Sequence, residues 1–386
     1  MKKLYTMAFL LAMSSTLAFA GSHGGHDGTH KMSAASAGSG VHFYGRIYLG
    51  YDRIKQSGTD GGSVAGARDD GQKSRLGIKF SENLGGLTLL GNAEYKFDLG
   101  DGDASNDDKQ DGSGSANTCS ATLSDCRTFN LHVGNLGLMT PLGYVGMGTF
   151  ESPYKTMGMF DSNMDTALAM NNHGATSKGT FGQAGTWEGA LSYHAKMGAI
   201  ELAYMRGVSD KANSNIGKGD YSFGISLTDL IGGLQVGWAR AHDKVTTTAT
   251  GGESNDKVFA SYKVMPGLGV FYTEEDMDIE NSNVFNNGNV GNTTSSVLDG
   301  GGDIDTIGIH YTMGNNMIQF THTNAESRVA ADMDYQTITI SNQMRLSKAT
   351  DITIGYSRQG FDGSGSGSGQ NDKHKRTVAI GITHSF

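Results

Sequence analysis

Two arginines and two aspartates carry the chemistry this chain can do, and the residues around them say where they point. Across Val41–Ile54, Val41, Phe43, Ile47, Leu49 and Tyr51 share one side, and His42, Tyr44, Arg46, Tyr48 and Asp52 the other. Across Ser74–Glu82, Leu76, Ile78 and Phe80 oppose Arg75, Lys79 and Ser81. Across Leu87–Asp98, Leu89, Ala93, Tyr95 and Phe97 oppose Asn92, Glu94 and Lys96. Period-2 alternation with charge confined to one face suits strands with water on one side and apolar surroundings on the other. An unpaired arginine facing lipid at mid-bilayer would cost ~2–4 kcal/mol, so Arg46 and Arg75 are expected on the wet face. Asp161 and Asp165 lie in a connection running from Glu151 to Thr186. A loop that long without regular structure is uncommon unless it serves a function. The chemistry open to fixed charges of both signs is electrostatic, the attraction or repulsion of charged groups in the water beside them.

Other reactive side chains lead to plainer readings. Met1-Lys2-Lys3, the apolar run Met7–Phe19 and Ala18-Phe19-Ala20 read as a secretory signal peptide over residues 1–20, with a mature start near Gly21. That places Cys119 and Cys126 in an oxidising compartment, where a disulfide is the default. Metal ligation by the pair is poorly supported, because no His or second Cys pair accompanies it. Residues 21–40 form a Gly-, Ser- and His-rich leader whose His23, His26 and His30 could hold a metal ion. Such a tract reads first as a solvated, flexible tail. Asp98, Asp101, Asp103, Asp107, Asp108 and Asp111 are spaced somewhat like a calcium loop, but the bidentate Glu and fixed register are missing. A solvated acidic loop is the simpler account, and a divalent-ion bridge to anionic lipid headgroups the alternative. Gly-x-Ser-x-Gly, His-Glu-x-x-His and a Walker loop are lacking, so neither an enzyme nor a cofactor is expected.

The elements that must position Arg46 and Arg75 are strands, and many of them. The chain has 58 Gly but 3 Pro, with 15 Tyr and 16 Phe, which suits long strands joined by tight turns. A net charge of −9 argues against a nucleic-acid partner, and no mature stretch approaches the ~18 apolar residues of a membrane helix. A mean hydropathy of −0.35 is what strands greasy on one face and wet on the other, with polar loops, average to. Beyond the three strands above, alternation predicts a fourth over Cys126–Gly134, a fifth over Gly143–Glu151 and so on to a sixteenth, Arg376–Phe386. Short turns and long polar loops alternate strictly, which puts every long loop on one rim. A soluble β-solenoid is the rival, but no fixed short repeat appears. The predicted fold is therefore all-β: a transmembrane antiparallel up-and-down barrel of about 16 strands, a single domain over residues 41–386. Closure removes the edge that a terminal half-apolar strand would otherwise expose.

Tyr44-Gly-Arg46, Ser74-Arg-Leu-Gly-Ile-Lys-Phe80, Gly91-Asn-Ala-Glu-Tyr-Lys-Phe97 and Ser152-Pro-Tyr154 through Met159-Phe-Asp161 resemble the general diffusion porins of Gram-negative bacteria, as does the terminal Thr383-His-Ser-Phe386. That resemblance implies a 16-stranded homotrimer in the outer membrane whose third long loop folds into the lumen. It implies contact with outer-membrane lipid and lipopolysaccharide, folding by the barrel-assembly machinery with Phe386 as the assembly signal, and passage of small hydrophilic solutes and ions. Carried over by position, Asp161 and Asp165 fall at the acidic pair of the inward-folded loop, Asp165 standing where many members have Glu. Arg46 and Arg75 fall at the basic wall facing that pair across the constriction. Arg127 matches more loosely, since it shares parity with Phe129, Leu131 and Val133. A further family arginine is absent near Thr186-Trp187, which leads to an expected mild cation preference. Rival readings are a substrate-selective porin, a barrel-borne outer-membrane hydrolase and a structural or adhesive barrel.

Overall fold

A computed structural model describes residues 39–56, 63–68, 74–97, 99, 129–173, 175–176, 185–208, 218–229, 231–243, 253–277, 302–327, 334–362 and 374–386. Residues 1–38, which hold the expected signal peptide and all but the last two residues of the expected leader, lie outside these, as do Cys119, Cys126, Arg127 and all six residues of the aspartate-rich run.

Strands appear wherever alternation demands them: β1 (Gly40–Gln56), β2 (Ser63–Arg68), β3 (Ser74–Asn83), β4 (Thr88–Phe97), β5 (Asn130–Thr140), β6 (Gly143–Glu151), β7 (Thr186–Met197), β8 (Ile200–Gly207) and β9 (Tyr221–Thr228). They continue as β10 (Leu234–Asp243), β11 (Glu253–Met265), β12 (Leu268–Met277), β13 (Gly302–Met313), β14 (Asn316–Ser327), β15 (Asp334–Arg345), β16 (Thr350–Asp362) and β17 (His374–Ser385). From β3 to β17 consecutive strands pair antiparallel, and β1 pairs with β17 from Arg46–Ser385 to Gln56–Lys375, closing the wall. Along its other edge β1 pairs first with β3, over Gly40–Arg46, and then with β2, over Gly50–Lys55. β2 and β3 therefore share one place in the wall, and the 17 segments make a barrel of 16 strands, as expected.

One strand departs from expectation. The fourth predicted strand, Cys126–Gly134, is found as β5 over Asn130–Thr140, with only Pro141 and Leu142 before β6. A bulge is the cause: the register against β4 slips between Glu94 and Tyr95, and His132 and Val133 are both buried where alternation would expose one. Leu131 faces out before the bulge and Leu136 after it, so parity reverses within the strand. Elsewhere the outward parity holds exposed apolar residues such as Leu49, Ile78, Ile340 and Ile380. The inward parity holds buried polar ones such as Thr306, Gln319, Thr337 and Ser341.

The lumen is not empty. After β6 the chain turns inward through α1 (Pro153–Thr156) and a single 3-10 turn, Met170–His173. Ser152 caps α1 with its hydroxyl accepting from Lys155 N at 3.2 Å, and Pro153 supplies the preset φ of a first helical turn. The largest apolar cluster sits here, inside the barrel, where Met157, Phe160 and Met170 pack on Phe259, Phe271 and Met205. These last three face inward although apolar, because the loop and not water covers them.

Candidate functional site: the inward-folded loop and the basic row

The loop is pinned to the wall around much of the barrel. Tyr154 N donates to Ser222 Oγ at 3.0 Å and its hydroxyl to Glu275 at 2.9 Å. Ser162 N donates to Gln319 at 2.9 Å, and Thr306 and Thr337 donate to the carbonyls of Ala175 and His173, each at 2.9 Å. At the far end Ala167 N donates to the Tyr48 hydroxyl at 3.2 Å. Gly158 makes the descent possible: its φ is +67°, and a Cβ there would stand 2.3 Å from the Phe259 ring. Gly158→Ala should therefore loosen the seat, at ~1–2 kcal/mol for the left-handed backbone plus the displaced ring. The expected readout is larger and noisier single-channel current; an unchanged trace would show that Phe259 does not fix the loop.

The two aspartates separate in role. Asp165 Oδ1 accepts from Arg75 Nη2 at 2.7 Å and Oδ2 from Arg46 Nη1 at 3.1 Å. Its backbone carbonyl and that of Met164 also lie within reach of Arg46 Nη2, at 3.5 and 3.4 Å. Asp165 adopts φ +62°, a conformation Asp tolerates better than most residues, held here by the two arginines. Asp161 instead ties the loop to itself, Oδ1 accepting from Asn163 N at 2.8 Å and Oδ2 from Met170 N at 2.7 Å. Of the five expected residues Arg127 lies outside the described ones, and the structure brings three of the other four into contact. Asp165 is clasped by Arg46 and Arg75 and does not face them across a gap, and Asp161 is a turn-forming group beside the same cavity.

The basic wall holds more than alternation singled out. The register sets Arg46 opposite Arg75 and Arg75 opposite Lys96, three inward cations abreast on β1, β3 and β4. Lys155 of α1, paired with Glu151, and Lys257 of β11, which donates to the Tyr154 carbonyl, line the same cavity as Arg75, Lys96, Asp165 and Glu275. Lys96 was legible from its parity. Lys155 sits in a loop without periodicity, and Lys257 shares its face with Phe259, which masks the wet side. Five cations here meet five carboxylates: Glu94, Glu151, Asp161, Asp165 and Glu275. Both oxygens of four of these carboxylates are taken by donors. Glu94 accepts from His132 at 2.6 Å and Tyr44 at 2.9 Å, and Glu275 from Thr176 at 2.5 Å and Tyr154 at 2.9 Å.

His173 gives the loop a pH dependence. Burial, then the nearby Lys375 charge, pushes its imidazole down to about 3, and Nε2 lies 3.0 Å from the Ala167 carbonyl. The folded pKa lies below the unfolded value of ~6.5, so the neutral ring's contribution is complete above pH ~6.5 and is lost as pH falls toward 3. Acidification from pH 7 to 4 is expected to unsettle the loop and change conductance. His173→Gln, which keeps an N–H donor without a titrating ring, should flatten that response. An equal pH response in both proteins would remove His173 from the account.

Comparison with known proteins follows the same geometry. A family model described as Gram-negative porin matches residues 14–364. No curated protein sequence matches the chain. Similar solved structures include an anion-selective porin from Comamonas acidovorans, at 18% identity and TM-score 0.64, covering 90% of this chain and 100% of that one. OmpF of Salmonella typhi, solved with daunomycin, matches at 14% identity and TM-score 0.63 over 90% and 98%. OmpT, an outer membrane protein of Vibrio cholerae in a trimer form, matches at 14% identity and TM-score 0.57 over 90% and 99%.

Proposed function

The chain belongs to the Gram-negative porins, β-barrels of the outer membrane, and from that premise we propose that it forms a water-filled channel for passive diffusion of small hydrophilic solutes and ions. One observation carries the reading: a long loop lies inside a closed barrel and sets Asp165 on the inward row Arg46–Arg75–Lys96. Such a loop narrows a passage and leaves fixed charge at its edge, which sorts solutes by size and then by charge. No catalytic step belongs to this reading. A 16-strand barrel has room for the loop and an aqueous path beside it. Purified protein in a planar bilayer is expected to open in steps of ohmic current, and a protein that never conducts would overturn the proposal.

Ion preference follows from the charges at the cavity. The cation preference expected from a missing arginine loses its ground, because Lys96, Lys155 and Lys257 stand at the same cavity. The ten charges balance, but four of the five carboxylates have both oxygens held by donors. Weak selectivity tilted toward anions is the proposed outcome, read as a small reversal potential of the corresponding sign in a salt gradient.

The assembly proposed is a homotrimer in contact with outer-membrane lipid and lipopolysaccharide, inserted by the barrel-assembly machinery. Folded protein should run as a β-rich, SDS-resistant oligomer that becomes monomeric only on boiling. A helical far-UV spectrum or a boil-insensitive monomer band would count against it.

A further inference from the structure

The cavity beside the inward-folded loop sorts its side chains by charge and by exposure. It measures about 790 Å³ with the space open to the lumen included, within the ~300–1,000 Å³ of small-molecule sites. Two of its cations, Arg75 and Lys257, are buried, whereas Lys96 on β4 and Lys155 on α1 keep part of their side chains in the lumen. The five carboxylates at the site are all buried, none more than 8% exposed. A solute entering here therefore meets ammonium groups before it meets a carboxylate. Lys155 hydrogen-bonds Glu151, which uses one of the three donors of its ammonium.

The loop side of the same cavity is apolar. Met159 and Met164, both partly exposed, line it together with the buried Phe160 and Met170. The apolar cluster that seats the loop takes in Met157, Phe160 and Met170 but neither Met159 nor Met164. Two thioether side chains thus face the lumen without serving the seat. Apolar surface kept in an aqueous passage favours a solute that covers it. Methionine is unbranched and polarizable, so it adapts its shape to a guest, and its sulfur makes favourable contacts with aromatic rings. Ammonium groups on one side and thioethers on the other complement one kind of solute, an organic anion with a flat apolar body. Chloride or phosphate would use the lysines and leave the methionines in water. A neutral arene would leave the lysines without a counter-charge, and a small dicarboxylate would set its second charge against apolar surface.

We propose that this cavity is a binding site for aromatic monocarboxylates, the carboxylate held by Lys96 and Lys155 and the ring lying on Met159 and Met164. Binding stands on the cavity itself, while the part such an anion plays as a transported solute rests on the channel reading above. The probe is labelled benzoate, equilibrated with the full, folded chain in lipid nanodiscs, with empty nanodiscs measuring partition into lipid alone. In competition, wild type is expected to prefer benzoate by about tenfold or more over acetate, which has the charge without the ring, and over succinate, which has more charge and no ring. Benzyl alcohol, which has the ring without the charge, should not compete. Lys96→Gln with Lys155→Gln should weaken benzoate binding about tenfold or more, as lost charge-assisted contacts would. Met159→Ser with Met164→Ser should bring benzoate down to the level of acetate. Met159→Leu with Met164→Leu, which keeps the apolar contact, should stay within about threefold of wild type. The benzoate-to-acetate ratio separates a lost ring contact from a loosened loop, which would weaken both anions alike. If a double variant folds poorly, Lys96→Gln alone should still weaken benzoate several-fold. In a planar bilayer, benzoate should lower the chloride current of wild type at concentrations that leave the methionine-to-serine variant unaffected. Equal binding of benzoate, acetate and succinate by wild type overturns the proposal, as does benzoate binding that neither the lysine nor the serine variant weakens. A chain that conducts chloride but fails these comparisons loses the site and keeps the channel. A chain that binds benzoate as expected yet never conducts keeps the site and loses the channel reading.

Discussion

Deleting Phe386 is expected to lower the amount of folded protein in the outer membrane by about tenfold or more, while export to the periplasm continues. The residue lies at the seam where the barrel closes. Its backbone N–H donates to Gly45 O and its carbonyl accepts from Gly45 N, both at 3.0 Å. Its ring covers Gly45 so closely that a Cβ there would stand 2.3 Å from the ring edge. Two backbone hydrogen bonds at ~1 kcal/mol each already exceed the ~1.4 kcal/mol that makes a factor of ten, before the ring contact is counted. Phe386→Ala keeps the backbone pair and should fall between deletion and wild type, and Phe386→Tyr should stay close to wild type. Membrane fractionation with a boil-sensitive gel shift reads all three. Unchanged amounts after deletion would mean that closure does not depend on this residue.

The barrel was legible because its physics is periodic. Wherever one face meets lipid and the other water, a charge such as Arg46 or Arg75 fixes the phase of a whole strand, and the long and short connections fix which rim is which. Legibility failed where something other than water covers the inner face. Phe259, Phe271 and Met205 point inward because the loop packs on them, so alternation on β8, β11 and β12 carries no clear wet side. It failed again at His132–Val133, where one inserted residue reverses parity and shifts the apparent limits of β5. β2 was missed because a six-residue strand in a Gly-rich connection has too few positions to show a period. At the site, the arginines followed from parity and the aspartates from resemblance alone. No pattern in one dimension separates an Asp that caps its own loop from one that reaches wall residues 90 and 119 positions away. Asp161 and Asp165 differ in that way, and only the pairing of Asp165 with Arg46 and Arg75 reveals it.

That difference fixes what charge removal at the constriction should do. Asp165→Asn leaves Arg46 and Arg75 without their shared counter-ion and should move the reversal potential further toward anions. Arg46→Ala with Arg75→Ala removes two of the five cations at the cavity and should move it toward cations. Asp161→Asn is expected to act mainly on the loop, raising current noise more than it moves the reversal potential, because both of its oxygens serve backbone N–H groups. A single charge ~7 Å from a passing ion in water is worth about 0.6 kcal/mol, and more where low-dielectric walls exclude solvent. One charge therefore alters relative permeability by a factor of roughly three and two by up to about tenfold. The shifts should shrink as salt rises, since the Debye length falls from ~8 Å at 0.15 M to ~3 Å at 1 M. Loss of the clasp also frees the loop near Asp165, so the double arginine variant should pass larger neutral sugars as well, which liposome swelling measures separately from charge. If Asp165→Asn and the arginine pair both keep the wild-type reversal potential at low salt, the ion path does not run past the basic row, and the selectivity must be set elsewhere along the barrel.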